Sequence, residues 1–79
     1  MDIDEIRRLL CNAVAEEFEI DKDMVTPDSS IMADSGLDSL DMVDLVVVID
    51  RLFGVKLTRE DLTGTKTFGD LADLVAARR

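Results

Sequence analysis

The sequence predicts an all-α protein, built as a small antiparallel four-helix bundle with three main helices and one short helix. Apolar residues recur at three- and four-residue spacing in several segments, which is typical of amphipathic helices. Serine, threonine or aspartate precedes most of these segments, where their side chains can cap free backbone N–H groups. No segment shows the two-residue alternation and hairpin turn of paired strands. With 79 residues, the chain is predicted to form a single domain over residues 1–79.

The first helix is predicted from about Asp2 to Phe18. Acidic residues in its first turn favour this start, because the helix dipole stabilises negative charge there. Its apolar face comprises Ile3, Ile6, Leu10, Ala13 and Val14. The following segment, 19–37, has no helical period and contains Pro27 and Gly36. We expect a long loop, held to the core by Val25, Ile31 and Met32.

The second helix is predicted from Ser39 to Phe53, with Asp38 as its N-cap and Gly54 as its stop. Asp41 completes a weak capping-box pattern. A short helix is expected from Arg59 to Leu62, capped by Thr58. The last helix is expected to begin with Thr67 as N-cap and Asp70 three residues later, and to run toward Arg78 and Arg79.

The second helix carries two apolar faces. Successive helix residues are rotated by about 100°. The broad face predicted to lie in the core comprises Met42, Leu45, Val46, Ile49, Leu52 and Phe53. Leu40, Val43 and Val47, here called the outer ridge, lie on the opposite side, with Val48 between the two faces. Asp41, Asp44 and Asp50 flank the outer ridge. Either the long loop or the first helix covers this ridge, or the ridge is an exposed docking surface for a basic partner with an apolar groove.

The composition excludes several classes of function. Nine basic residues against 18 acidic ones give a net charge of −9, which argues against binding nucleic acid or an anionic membrane. The chain has one cysteine, Cys11, and no histidine, so neither an intrachain disulfide nor a Cys/His metal site is expected. We interpret Cys11 as a partly buried helix residue. No apolar run is long enough to span a bilayer, and we expect a monomeric, cytoplasmic protein with no membrane insertion.

Ser39 is the candidate for chemistry. A serine at a helix start has an ordinary capping role, but Asp38 can fill it and leave the Ser39 hydroxyl free. A nucleophilic serine needs a base, and the chain has no histidine to provide one. Asp34, Asp38 and Asp41 lack the pattern of a calcium loop. The sequence therefore favours a modified Ser39 over a catalytic one, and we expect no catalytic residue and no metal site.

The segment Gly36-Leu37-Asp38-Ser39-Leu40-Asp41 resembles the phosphopantetheine attachment motif of acyl carrier proteins. The resemblance extends over nearly the whole chain, through its length, acidity, helix spacing, the loop before the motif, and Phe53-Gly54-Val55 after the second helix. It implies that a phosphopantetheinyl transferase attaches 4'-phosphopantetheine from coenzyme A to Ser39. The arm would carry acyl groups as thioesters, and the domain itself would not be an enzyme.

The resemblance also implies partners. Acyl-loading enzymes and acyl-transfer or ketosynthase-type enzymes of fatty-acid, lipid or polyketide biosynthesis would bind the second helix through basic surfaces. The docking residues expected from the resemblance and the ridge together are Asp38, Leu40, Asp41, Val43, Asp44, Val47 and Asp50.

Four positions depart from the fatty-acid members of the family: Ser35, Arg51, Leu52 and Thr65. These departures keep open a specialised polyketide, lipid A, peptidyl or alanyl carrier. A second alternative, from another class of function, is a protein-interaction module that has the same fold but is not modified. The remaining alternative is a small enzyme that uses the clustered acidic residues, although the sequence indicates no base, no set of metal ligands and no cleft.

Overall fold

The computed structural model describes residues 2–79, and these residues form a helical bundle. Helix α1 spans Ile3–Glu17, α2 spans Asp41–Phe53, α3 spans Arg59–Thr63 and α4 spans Phe68–Arg78, with a short 3-10 helix at Lys22–Met24. Within residues 2–79 no strand forms, although Ser30 and Thr67 make an isolated antiparallel bridge. The predicted fold, three main helices and one short helix, is confirmed.

Local hydrogen bonds explain where the helices begin. The Asp2 carboxylate accepts from the Glu5 N–H and caps α1. Thr58 and Asp61 form a reciprocal capping box at the start of α3, and Thr67 with Asp70 repeats this arrangement at α4. Each pair satisfies backbone N–H groups that have no partner within the helix. The predicted caps of α3 and α4 are therefore confirmed.

One continuous core holds the helices together. Helix α1 packs mainly against α4 and also touches α2, whereas α3 packs against α2. Full burial of large apolar side chains is the main stabilising contribution in a domain of this size. The largest fully buried side chains are those of Ile6, Leu10, Val14, Leu45, Ile49, Leu62, Phe68, Leu71 and Val75.

The loop between α1 and α2 is fastened to the start of α4. The Ile31 N–H donates to the Lys66 carbonyl oxygen at 2.9 Å, and the Gly69 N–H donates to that of Pro27 at 2.8 Å. Val25 and Ile31 are buried as predicted, but Met32 is 51% exposed, so its predicted role as an anchor is wrong. Residues 31–35 form a tight turn. Of the adjacent residues Ile31 and Met32, only Ile31 faces the core.

Helix α2 differs from its prediction in two respects. It begins at Asp41 rather than Ser39, with Leu40 at the N-cap position, because residues 39 and 40 lie in a turn. Its buried face is also rotated: Val48 is buried, whereas Leu52 is 40% exposed and Val46 and Phe53 are half-buried. Helix α1 lies alongside Val48, whereas Leu52 stands at the open groove between α1 and α2.

Within the described residues, no helix has the length and apolar composition needed to cross a membrane.

Candidate functional site

The turn that carries Ser39 is anchored on both sides. Gly36 adopts φ +80°, a left-handed conformation that side chains with a Cβ rarely occupy. Leu37, the next residue, is buried in the core, as is Met42 in the first turn of α2. Asp38, Ser39 and Leu40 between them are exposed. The chain therefore presents Ser39 on a short exposed turn whose two ends are fixed by apolar burial.

Asp38 and Asp41 hold the shape of this turn through reciprocal hydrogen bonds. The Asp38 carboxylate accepts from the N–H groups of Leu40 at 3.0 Å and of Asp41 at 3.1 Å. The Asp41 carboxylate accepts from the Asp38 N–H at 3.0 Å. The predicted pairing of Asp38 with Asp41 is confirmed, but the prediction of Asp38 as the N-cap is wrong, since Leu40 occupies that position. Ser39 is not needed to satisfy these N–H groups.

Ser39 differs from the other three serines of the chain. Ser29 is buried, and its hydroxyl lies 2.8 Å from the hydroxyl of Thr26. The Ser30 hydroxyl accepts from the Ala33 N–H, and the Ser35 hydroxyl donates to the Ile31 carbonyl oxygen. Among residues 2–79, only Ser39 combines an exposed side chain with a hydroxyl that makes no hydrogen bond. Its hydroxyl is therefore the one most accessible to a modifying enzyme.

Ser39 lies away from two surface grooves of the described residues. One of these grooves lies between α1 and the loop segment 25–27, and the other, described below, lies between α1 and α2. Within residues 2–79, no three His, Cys, Asp or Glu side chains are placed to share a metal ion. Cys11 is buried in α1, and this desolvation raises the pKa of its thiol, because burial disfavours the thiolate. The position agrees with the interpretation of Cys11 as a helix residue that is at least partly buried.

The outer ridge of α2 is exposed. Leu40 is 76% exposed, Val43 53% and Val47 56%, so neither the long loop nor α1 covers them. These side chains follow one line along the helix, because residues three and four apart share a face. A row of large apolar side chains in water is a common mark of an interaction surface. The exposure removes the alternative in which the ridge is packed inside the domain.

The acidic residues beside the ridge are available to a partner. Asp38 and Asp44 are exposed, and Asp41 and Asp50 are partly exposed. Within residues 2–79, the ion pairs use Asp4, Glu17, Asp61 and Asp73, and none uses an acid of α2. The α2 carboxylates are therefore not neutralised by basic side chains of the domain.

Arg51 is the basic residue closest to the ridge along α2, one turn beyond Val47. Its Nη2 lies 3.2 Å from Oε1 of Glu17 in α1. The sequence alone gave no sign of this partner, because the two residues are 34 positions apart.

The comparisons with known proteins agree with this geometry. A family model described as "Phosphopantetheine attachment site" matches residues 8–75. An acyl carrier protein of Syntrophobacter fumaroxidans is 30% identical over 79 residues, covering all of this chain and 98% of that protein.

The chain belongs to the acyl carrier protein family.

Other acyl carrier proteins extend this result. One from Prochlorococcus marinus is 32% identical over 79 residues, covering all of this chain and 99% of its own length. The protein AcpXL of Brucella melitensis biotype 1 is 44% identical over 54 residues, which are 68% of this chain and 58% of AcpXL. Acyl carrier proteins hold acyl groups as thioesters on a covalent 4'-phosphopantetheine arm, and this is the role and the cofactor of the family to which the chain belongs.

Proposed function

We propose that Ser39 is the residue that receives 4'-phosphopantetheine, and that the outer ridge of α2 with its acids is the surface that partner enzymes bind. The exposed Ser39 hydroxyl without a hydrogen-bond partner carries the first part of this proposal. In the transfer, the Ser39 oxygen would bond to the phosphorus next to the pantetheine of coenzyme A. The phosphoanhydride bond to 3',5'-ADP would break, and the hydroxyl proton would pass to a base of the transferase.

The residues around Ser39 suit the attached group. Its phosphodiester would lie at the amino end of α2, where the helix dipole favours negative charge. The side chains of Asp38 and Asp41 fix the turn by accepting hydrogen bonds from backbone N–H groups. These side chains need not move when Ser39 is modified. When bound, the arm supplies a thiol on a long flexible chain, and this thiol forms the thioester.

The docking surface consists of the outer ridge with Asp38, Asp41, Asp44 and Asp50. Its exposed apolar side chains provide area to bury, and its unpaired carboxylates attract a basic partner surface and orient it. The partners we propose are a phosphopantetheinyl transferase, acyl-loading enzymes and ketosynthase-type enzymes with basic docking surfaces. The domain itself would act as a carrier without catalysing a reaction.

Intact-mass measurement tests the attachment site. The protein is incubated with coenzyme A and a phosphopantetheinyl transferase of broad specificity. The wild type should gain one phosphopantetheine group and Ser39→Ala none, while Ser30→Ala, a matched control, should be modified like the wild type. An unmodified wild type would favour an interaction module that kept the fold, and modification of Ser39→Ala would place the arm on another residue.

A specialised carrier is the second candidate for the pathway. The 44% identity to AcpXL over 54 residues and the departures from the fatty-acid members at Arg51 and Leu52 favour it over an ordinary fatty-acid carrier. The test compares malonyl loading of the modified protein by a transferase of primary fatty-acid synthesis with loading of that pathway's own carrier. A much lower kcat/KM is expected for this chain, and equal values would favour the fatty-acid role.

A further inference from the structure

A groove of about 180 Å³ runs between α1 and α2, at the end of α2 remote from Ser39. Leu52, at one wall, is 40% exposed, so apolar surface is open to solvent here. The residues that line the groove are Ala13, Glu16, Glu17, Val48, Arg51 and Leu52.

Arg51 joins this groove to the outer ridge. Successive helix residues turn by about 100°, so Arg51 continues the line of Val43 and Val47 by one further turn. Asp50 points to the other flank, about 100° away. A partner that lies along the ridge and covers Val47 would therefore meet the guanidinium of Arg51 next.

The guanidinium retains hydrogen-bonding capacity. Of its five N–H donors, the contacts within residues 2–79 occupy one, through Nη2 to Glu17. The two side chains are 65% and 48% exposed, and such exposed pairs stabilise a fold only slightly. Arg51 can thus bind a second carboxylate, for which its planar fork is well suited.

The charge along the docking face is not uniform. Asp41 and Asp44 lie on the half near Ser39, and Arg51 lies about 15 Å from Asp41 along the axis, at about 1.5 Å per residue. This separation exceeds the Debye length of about 8 Å at physiological ionic strength. A partner therefore meets two electrostatically distinct regions. One carries only carboxylates, and in the other the cation of Arg51 lies beside the groove together with Glu16, Glu17 and Asp50.

We propose that this surface fits an enzyme with basic side chains opposite Asp41 and Asp44, and with a carboxylate next to an apolar side chain at the α1–α2 groove. The carboxylate would pair with Arg51 and the apolar side chain would cover Leu52. Arg51 would also reject enzymes whose docking surface is basic along its whole length, because specificity arises from repulsion of wrong partners as well as from attraction. This inference rests on the proposed function of the outer ridge.

The test uses a ketosynthase of primary fatty-acid synthesis, chosen for a docking surface that is basic throughout. Each carrier variant is first shown by intact mass to be modified and acylated. Arg51→Glu should raise kcat/KM about five- to tenfold at low salt, and the rise should shrink at high salt because exposed charges are screened. Arg51→Gln, which removes the charge without adding another, should give a smaller rise.

The enzyme's basic residues are then changed to glutamate one at a time. For one of these enzyme variants the order of kcat/KM should reverse, so that the wild-type carrier is preferred over Arg51→Glu. Arg8→Glu is the matched control, because Arg8 lies nine residues from Glu17 and so on the opposite side of α1.

Equal kcat/KM values for the wild type and Arg51→Glu would overturn the inference, as would the same rise in Arg8→Glu. Either result, obtained with fully modified carriers, would leave the attachment of phosphopantetheine to Ser39 intact. A failure of modification itself would instead contradict the proposed function.

Discussion

The backbone N–H of Gly69, in the first turn of α4, donates a 2.8 Å hydrogen bond to the carbonyl oxygen of Pro27 in the long loop. The approach is so close that a Cβ atom at Gly69 would lie only 2.8 Å from the same oxygen. This contact fastens the loop that leads to Ser39 onto the helix that packs against α1.

Gly69→Ala should therefore destabilise the domain. The added methyl group would push Pro27 away and cost about 1–3 kcal/mol, the range typical of overpacked sites. Gly64→Ala is the control, since its Cβ would meet no atom closer than 3.5 Å and its φ of −79° is one that alanine readily adopts. Urea unfolding measures both variants, and equal stability of the two would show that the loop yields without cost.

Ile49→Ala should destabilise the domain by about 2–4 kcal/mol, because Ile49 is fully buried and its truncation leaves a cavity. Val47→Ala, on the exposed ridge two residues earlier, should change the free energy of unfolding by less than about 0.5 kcal/mol. Chemical denaturation followed by circular dichroism gives both values. Similar losses for both residues would mean that the ridge contributes to folding.

Asp44→Lys should slow modification of Ser39 by the transferase at least severalfold while leaving the helical circular dichroism unchanged. Asp44 is exposed and makes no ion pair within residues 2–79, so reversal of its charge affects docking rather than folding. Asp28→Lys, next to Pro27 in the long loop, is the control and should be modified at the wild-type rate. If both variants slowed equally, net charge rather than the α2 surface would govern docking.

A second docking variant, Val47→Glu, should also slow modification, because it puts a charge into the apolar ridge. Its helical circular dichroism should remain that of the wild type. Loss of that signal would show instead that Val47 supports the core.

Acid should weaken the caps of α3 and α4. The pKa of Asp61 is lowered chiefly by the hydrogen bond from the Thr58 backbone, and that of Asp70 chiefly by those from the Thr67 and Lys66 backbones. A carboxylate whose pKa is lower in the folded state stabilises that state above its unfolded pKa of about 3.9. This contribution is lost as the pH falls through the lower, folded pKa.

Asp61→Asn and Asp70→Asn should therefore be less stable than the wild type at about pH 6, with the difference shrinking toward about pH 3. Thr63→Ala is the control, because Thr63 does not titrate and its cost should stay constant with pH. Urea unfolding at a series of pH values measures these differences. A difference that stays constant for both aspartate variants would contradict the role of the charged caps.

The features predicted correctly from the sequence rest on short separations along the chain. Thr58 with Asp61 and Thr67 with Asp70 are three residues apart, so the helix start itself brings each pair together. Asp38 and Asp41 follow the same rule, which is why their reciprocal hydrogen bonds beside Ser39 were predictable. The outer ridge was also predicted, because helical periodicity alone separates Leu40 and Val47 from Ile49.

The errors occurred where burial depends on a distant neighbour. Periodicity placed Val48 between two faces, and only the position of α1 beside it makes it a core residue. Leu52 and Met32 were predicted to be buried, but both side chains are exposed. The start of α2 was misplaced by two residues, because the hydrogen bonds of Asp38 hold residues 39 and 40 in a turn.

By itself, then, the sequence determined the helices, the exposed serine and the acid-flanked ridge, since each depends on residues within one or two turns of one another. The tertiary structure alone decided that Gly69 lies against Pro27, that Arg51 pairs with Glu17, and that a groove opens beside Leu52. These contacts join residues far apart in the chain, and such contacts form only when whole helices pack. Their geometry follows from the volumes and shapes of all the buried side chains together, which no local pattern specifies.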